Sequence, residues 1–270
     1  YEEDTSTMYP IYFFVRGDKY NILGVESDLR LFGVEEPGKL YLFGADRYGR
    51  DIFSRLAYGG RRSLFIGIIG LIISLSIGLI YGGVSGYFGG WVDNIMMRIA
   101  EIIISIPSFY LLLALSAVLP TNIPSDQRFM LIVAILGFIN WAGLARVIRG
   151  MVLSIAKTEF VAGAEAIGAS QPRIIIRHIL PNTMSYVIVH ATLSIPGFIL
   201  SESGLSLIGV GIQHPVASWG NMLSEALNLS SLTRYPWLLV PGFFIFITVL
   251  SYSFFGDGLR DALDPKSRTT

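Results

Sequence analysis

The sequence predicts an all-α protein that crosses a membrane several times and carries a polar head at its N-terminal end. Its 270 residues are 52% hydrophobic and only 15% charged, whereas about a quarter of the residues in a water-soluble domain are charged. The charges are also segregated, because residues 1–62 hold nine Lys/Arg and ten Asp/Glu and long uncharged runs follow. We therefore predict an extracytoplasmic head and interfacial segment at 1–62, a transmembrane domain at 63–256 and a cytoplasmic tail at 257–270.

Several classes of function lose support from composition. The formal net charge is zero, which gives no basis for nucleic-acid binding. The chain has no cysteine, and its three histidines, His178, His190 and His214, are dispersed. A thiolate or zinc site is therefore not expected. We predict no catalytic residue, no metal and no nucleic-acid partner.

Uncharged runs of membrane-spanning length occur five times. A bilayer core of about 30 Å needs roughly 20 apolar residues in a helix. The predicted spans are 63–87, 95–119, 129–149, 182–208 and 235–256. The third is extended by Arg146 and Arg149, whose long stems reach the interface. Glycines along the first span, such as Gly82 and Gly86, indicate close helix packing within a bundle.

Lys and Arg residues cluster in one connection between predicted spans. Between the third and fourth spans lie Arg146, Arg149, Lys157, Arg173 and Arg177. Because short basic connections favour the cytoplasmic side, we predict that this connection is cytoplasmic and that the head lies outside, with the connections 120–128 and 211–235. Arg61 and Arg62 depart from this rule. An external start followed by five spans implies a further helix before Tyr1, which we expect to be missing from this sequence.

The basic connection contains an amphipathic segment, 153–181, that is nearly as long as a span but too charged to be one. Gly168 predicts the end of one short helix, and Pro172, which suits a first helical turn, predicts the start of the next. Two short helices lying along a membrane form a knob that fits a groove on a partner. An ordinary interfacial helical hairpin is the alternative.

The same segment resembles the signature loop of ABC importer permeases, which reads Glu-Ala-Ala, three residues, Gly, nine residues, Ile, one residue, Leu-Pro. Gly168, Leu180 and Pro181 fall at these spacings. The glutamate is displaced or absent, with Glu165 or Glu159 as possible substitutes, because Ala162, Gly163 and Ala164 stand at the Glu-Ala-Ala positions and His178 at the Ile position. The resemblance implies a coupling loop for an ATPase, with these candidate residues: Glu159, Ala162, Gly163, Ala164, Glu165, Gly168, Ala169, Pro172, Arg177, His178, Leu180 and Pro181.

Further matches narrow the resemblance to the peptide and nickel branch of these permeases, and to the C-type subunit of dipeptide and oligopeptide permease pairs. They are the stretches 42–55, 201–213, 218–223 and 256–266. The first holds charges of both signs between glycines, and we interpret it as a structural clamp of local ion pairs. Its candidate residues are Gly44, Asp46, Gly49, Arg50, Asp51 and Arg55. The head before it is either a small external subdomain that touches a binding protein or a decorated loop.

The resemblance implies the type I transmembrane fold of ABC importers, with six helices in the family and five in this sequence. It implies half of an import pathway for oligopeptides or dipeptides, with nickel or another small solute as the alternative, in the cytoplasmic (inner) membrane of a bacterium or archaeon. The implied partners are a homologous permease, two cytoplasmic ABC ATPases and an extracytoplasmic substrate-binding protein. The sequence has no Gly-x-x-x-x-Gly-Lys-Ser/Thr loop, so we expect ATP and Mg on partner subunits and no cofactor on this chain.

Within the predicted spans, candidates for the pathway or its gating are Pro107, His190, Pro196 and Glu202. The two prolines predict kinks, either beside the route or as packing features alone. Glu202 is expected to line the external mouth or to pair with Arg61, and His190 to be a packing residue or a substrate contact. Glu101 is expected to meet Arg98 or Arg146.

Two rival classes make different demands on the sequence. A secondary transporter that works without ATPases predicts internal repeats and ion-pair relays inside the membrane, and neither is evident. An intramembrane hydrolase needs a nucleophile and a base, for which Ser194 and His190 are the available pair.

Overall fold

The computed structural model describes residues 8–22, 25–35, 37–120 and 122–263, and the chain divides into two compact units, Tyr1–Phe53 and Ser54–Thr270. The boundary predicted after residue 62 is therefore too late. Helix α1 begins at Ile52, and Ile52 and Leu56 are buried at helical i, i+4 spacing. Residues 264–270, which include half of the predicted tail and the end of the last matching stretch, lie outside the described residues.

The first unit contains an antiparallel hairpin that the sequence analysis did not assign. Strand β1 is Tyr12–Ile22 and strand β2 is Val25–Gly33, paired with Phe13 opposite Phe32 and Val15 opposite Arg30. Aromatic and β-branched side chains favour such pairing. The pairing is irregular between Arg16 and Tyr20.

The second unit is helical. In the described residues the α-helices are α1 (Ile52–Phe88), α2 (Gly90–Ser105), α3 (Ser108–Ala117), α4 (Ser125–Ile155), α5 (Glu159–Ala166), α6 (Gln171–Arg173), α7 (Met184–Leu207), α8 (Trp219–Ser224), α9 (Leu229–Arg234) and α10 (Val240–Leu263). A π-helical turn, Ile174–Ile179, and a 3₁₀ turn, Leu180–Thr183, join α6 to α7. The connection predicted at 211–235 therefore contains two short helices.

Four helices of the described chain are long and apolar enough to cross a membrane, and there are five such spans if the bent pair of α2 and α3 counts as one. With that pair counted, the number equals that of the five predicted spans. The second predicted span, 95–119, is not one straight helix, because α2 and α3 meet at 82°. Ile106 is extended there, as expected for a residue that precedes a proline.

The fourth predicted span, 182–208, begins too late for its helix. The helical run extends from Gln171 to Leu207 over 37 residues. Pro181 lies in the 3₁₀ turn, and the π-helical turn before it changes the hydrogen-bond spacing. Pro196 is buried inside α7 without ending it.

Helices α1 and α4 pack through glycine. A Cβ added at Gly82 would lie 2.5 Å from the carbonyl oxygen of Ala145, and one added at Gly86 would lie 2.7 Å from that of Arg149. The two backbones therefore approach as closely as the small residues of α1 predicted. Larger apolar side chains fill the core beside them, including Ile132, Leu136, Leu144 and Ile148 of α4.

Candidate functional site

The candidate coupling segment comprises residues 158–183, between α4 and α7. A turn at Thr158, whose hydroxyl donates to the carbonyl of Ile155 at 2.6 Å, separates α5 from α4. The helix break predicted at Gly168 is confirmed, since α5 ends at Ala166 and Gly168 has a φ of 79°. The restart at Pro172 is also confirmed, because α6 has proline in its first turn. Its continuation into α7 makes the predicted second short helix part of a longer one.

Apolar burial holds this segment onto the helices. Val161 and Ala164 of α5, with Ile174 and Ile179 of the π-helical turn, are buried in one cluster with Ile148 and Val152 of α4. Burying a valine or isoleucine side chain of this set stabilises the arrangement by roughly 1.5–3 kcal/mol. The segment is thus seated on the end of α4.

Helix α1 also contacts the segment. The Tyr87 hydroxyl donates to Oε1 of Glu165 at 2.9 Å, which makes Glu165, one of the two proposed substitutes for the displaced glutamate, the one with a defined bond to α1. A Cβ at Gly83 would lie 3.2 Å from Ile175 and 3.4 Å from Leu180. Both the polar and the apolar contacts therefore join the segment to the end of α1.

The outer side of the segment remains exposed. Ile167 is 85% exposed and Ile176 is 67% exposed, and Phe160 is also exposed. Of the signature residues, Ala164 and Leu180 are buried and Ala169 and His178 are half-buried. The others are exposed: Glu159, Ala162, Gly163, Glu165, Gly168, Pro172, Arg177 and Pro181. The segment thus presents apolar side chains on a fixed base.

A second polar cluster joins α1, α2 and α4. The Ser85 hydroxyl donates to Oδ1 of buried Asp93 at 2.5 Å, and Nε of Arg149 donates to the same oxygen at 2.9 Å. Nη2 of Arg149 donates to the other carboxylate oxygen, which completes a forked pair. Arg149 therefore binds Asp93 rather than simply extending to the interface. Asp93 and Arg149 are 56 residues apart in the sequence, so local residue spacing could not predict that they pair.

A third cluster surrounds Glu202 at the opposite end of α7. Glu202 is 0% exposed, and its Oε1 accepts from the Ser206 hydroxyl at 2.6 Å and from the Ser218 hydroxyl at 2.9 Å. Two predictions for Glu202 are therefore wrong. Its partners are serines rather than Arg61, and a fully buried carboxyl does not line an external mouth.

The residues around α8 complete this cluster. Ser218 and Asn221 form a capping box, and the Asn221 amide donates to the carbonyl of Val216 at 2.5 Å. The backbone of Trp219 donates to Ser63 of α1 at 3.2 Å. Sequence reasoning missed these roles, although Ser218-x-x-Asn221 resembles a capping-box pattern. We call Glu202, Ser206, Ser218 and Asn221 the buried network.

The other pathway candidates lie apart from one another. Pro107 is exposed at the bend between α2 and α3, and Pro196 is buried within α7. The His190 ring stacks on Tyr186 with 5.7 Å between centroids. Ser194 donates to the backbone carbonyl of His190 at 2.7 Å, so its hydroxyl is not hydrogen-bonded to the imidazole as a nucleophile would be to its base.

Two predicted charge arrangements can be compared with the structure. Glu101 pairs with Arg98 at 3.1 Å, the first of its two expected partners. Asp46 accepts from the backbone N–H of Tyr48 at 2.9 Å and from Nε of Arg50 at 2.5 Å. Gly44 and Gly49 have positive φ, Ala45 pairs with Asp51, and Arg55 lies in the second unit. The turn is therefore closed by local bonds around Asp46.

The described residues contain no group of three or more His, Cys, Asp or Glu side chains placed to hold a metal ion. The clusters are instead hydrogen-bonded joints between helices. The exposed apolar side chains of the coupling segment are available to a partner.

Comparison with known proteins is consistent with this architecture. The profile of the family described as "Binding-protein-dependent transport system inner membrane component" matches residues 63–269. The oligopeptide transport system permease protein OppC of Haemophilus influenzae is 46% identical over 229 residues, which are 84% of this chain and 71% of that protein. The dipeptide transport system permease protein DppC of Bacillus subtilis is 43% identical over 233 residues, 86% of this chain and 71% of the relative.

A solved structure shares the fold. A chain of the MetNI methionine ABC transporter in an inward-facing conformation aligns with a TM-score of 0.60 and 17% identity. The alignment covers 79% of this chain and 98% of the MetNI chain. The fold is therefore the type I transmembrane fold of ABC importers, and the chain is a multi-pass membrane protein. The extent of the profile match and the identity to these relatives place the chain in the family of binding-protein-dependent transport system inner membrane components.

Proposed function

We propose that this chain is the permease subunit of an ATP-driven importer for oligopeptides or dipeptides, in the cytoplasmic (inner) membrane of a bacterium or archaeon. Membership of the family supports the transport role. Relatives whose names specify oligopeptide and dipeptide transport, at 43–46% identity over most of the chain, support the substrate class. The chain forms half of the translocation pathway, and a homologous permease forms the other half.

The coupling segment carries this proposal. Phe160, Ile167 and Ile176 are exposed on a segment whose inner side is packed against α4 and bonded to α1. Apolar side chains on a short helical protrusion suit a groove on a protein partner. A cytoplasmic ATPase subunit is the partner that the family resemblance implies. Two such subunits bind ATP and Mg, and this chain binds no cofactor.

Seating on two helices gives the segment a way to transmit movement. The helical run from Gln171 to Leu207 connects it directly to the buried network, and Tyr87 connects it to α1. ATP-driven movement of the partners would shift these helices together and open the pathway alternately to each side. An external binding protein delivers substrate, and the head lies on that external side.

Two other functions are alternatives to a peptide importer. An importer for nickel or another small solute would share every feature of the coupling segment. A secondary transporter that works without ATPases would instead need ion-pair relays along the route. In the described residues buried Asp93 pairs with half-buried Arg149, which joins α2 to α4. The first alternative changes only the substrate, whereas the second removes the ATPase partners.

The first experiment is purification of the intact subunit from native membranes, with mass spectrometry of the proteins that accompany it. A second permease, ATPase subunits and an external binding protein are expected. Replacing Ile167 with Ser should reduce ATPase recovery by about tenfold, because one buried isoleucine contributes about 1.5 kcal/mol or more. Ile208→Ser is the matched control, since Ile208 is also exposed but lies after α7, and it should leave recovery unchanged.

Uptake by proteoliposomes that contain the whole importer distinguishes the substrates. A radiolabelled tripeptide should accumulate with ATP, and a nickel chelate should not. The reverse preference would replace the peptide assignment with the nickel one. A homo-oligomer that transports without any ATPase would refute the importer.

A further inference from the structure

A cleft of about 500 Å³ opens between α2 and α4, near the turn that joins α1 to α2. Its lining includes both acidic and basic side chains from the two helices. Asp93, Arg98 and Glu101 come from α2, and Arg146 and Arg149 from α4. The cleft is separate from the coupling segment and from the buried network, neither of which contributes to its lining.

The charges in the cleft do not balance. Arg149 is bound in the forked pair with Asp93, and Arg98 is paired with Glu101 at 3.1 Å. Within the described part of the chain Arg146 forms no ion pair, although it is exposed and lines the cleft. One guanidinium is therefore left over, and a guanidinium is suited to a forked hydrogen bond with a phosphate.

The surface beside the cleft is typical of a membrane boundary. Trp91, in the first turn of α2, is 72% exposed, and tryptophan is enriched at the level of lipid headgroups. Ile95, which lines the cleft, is followed by Ile99 and Ile102, and all three are exposed. Their i, i+4, i+7 spacing forms an apolar stripe along α2 that begins at the cleft.

We propose that this cleft binds the phosphate headgroup of an acidic phospholipid, with Arg146 as its principal donor and the isoleucine stripe against an acyl chain. Basic pockets between transmembrane helices are suited to anionic headgroups. A free anion would not use the apolar stripe, which favours a lipid as the source of the phosphate. The proposal requires only that the ends of α2 and α4 lie at a membrane boundary, so it stands or falls independently of the importer and its substrate.

Native mass spectrometry of the purified protein in mild detergent tests the site. Phosphatidylglycerol and phosphatidylcholine with identical acyl chains are added separately, and retained lipid is counted. Wild type should retain phosphatidylglycerol in preference to phosphatidylcholine. Arg146→Gln should lower that retention by about fivefold, the effect of one arginine near anionic lipid, while Arg146→Lys should keep most of it.

Arg260→Gln is the matched control, because Arg260 is an exposed arginine in the last turn of α10. It should retain phosphatidylglycerol as wild type does. Equal retention of the two lipids by wild type, or equal losses in the two glutamine variants, would overturn the proposal. So would binding of sn-glycerol 3-phosphate with the same dependence on Arg146 but without lipid preference. Loss of ATPase recovery in Arg146→Gln with lipid retention unchanged would show that a protein occupies the cleft instead.

Discussion

The two ends of α7 are held in different ways. At its N-terminal end, apolar side chains such as Ile174, Ile179 and Val187 seat the coupling segment on α4. At its C-terminal end, the carboxyl of Glu202 accepts two serine hydroxyls in a buried network. Apolar burial has no preferred direction, whereas a hydrogen-bonded network fixes one arrangement and loses free energy when any member is removed. The comparison indicates that the network end defines the geometry and the segment end tolerates adjustment.

The largest effect is expected from removing Glu202 at the network end of α7. Glu202→Ala should reduce the free energy of unfolding by about 3–5 kcal/mol, because two buried hydroxyls lose their acceptor and a cavity is left. Denaturation in detergent micelles, followed by the fluorescence of Trp219 and the other tryptophans, measures the change. Glu202→Gln keeps the shape and one acceptor oxygen, and it should cost about 1 kcal/mol.

Glu101 provides the control for this experiment. It is an exposed glutamate paired with Arg98, so Glu101→Ala should change the free energy of unfolding by less than about 1 kcal/mol. If the alanine variants of Glu202 and Glu101 unfold alike, the buried network does not stabilise its end of α7.

An intermediate effect is expected where α1 packs against α4, close to the segment end. The Cβ of Gly82→Ala would lie 2.5 Å from the carbonyl oxygen of Ala145, so the helices must separate, at a cost of about 1–3 kcal/mol. Thermal unfolding measures the loss. At Gly143 an added Cβ meets nothing within 4 Å, and Gly143→Ala should be neutral or stabilising by up to about 1 kcal/mol. Equal shifts in the two variants would contradict close packing at Gly82.

The smallest effect on stability is expected at the segment end of α7, where Tyr87 donates to Glu165. Tyr87→Phe removes only the hydroxyl that donates to Glu165, so it should cost less than about 1 kcal/mol of global stability. Hydrogen exchange of the α5 amides should nevertheless become faster, because α5 loses its polar tie to α1. Tyr110→Phe is the control, since Tyr110 is 67% exposed on α3. Unchanged exchange in α5 for both variants would show that apolar packing alone holds the segment.

Features set by local chemistry were predictable from the sequence. The five apolar runs fall in the four candidate spans and the bent pair of α2 and α3, and Gly168 and Pro172 marked the helix break and restart. The glycines of α1 indicated its close packing with another helix. In each case the decisive property belongs to one residue or to a short window.

Features that depend on distant partners were not predictable in the same way. Buried Ser218 donates to Glu202, which lies 16 residues away in the sequence. The forked ion pair of Arg149 requires Asp93, which lies 56 residues away. The kink at Pro107 was predicted, but its size of 82°, the π-helical turn and the start of α1 at Ile52 depend on how whole helices pack. In the two polar clusters Arg149 and Glu202 were both named in advance, but Asp93 was not foreseen as a partner, and the partner assigned to Glu202 was wrong.

The helical run from Gln171 to Leu207 joins the coupling segment to the buried network without a loop. At about 1.5 Å per residue its 37 residues measure about 55 Å, so it acts as a lever, and a tilt of about one degree at one end displaces the other by about 1 Å. The hydrogen bond of 2.9 Å from Ser218, at the start of α8, to Glu202 does not survive much stretching. Either α8 moves together with the C-terminal end of α7, or the π-helical turn beside Pro181 bends and absorbs the tilt.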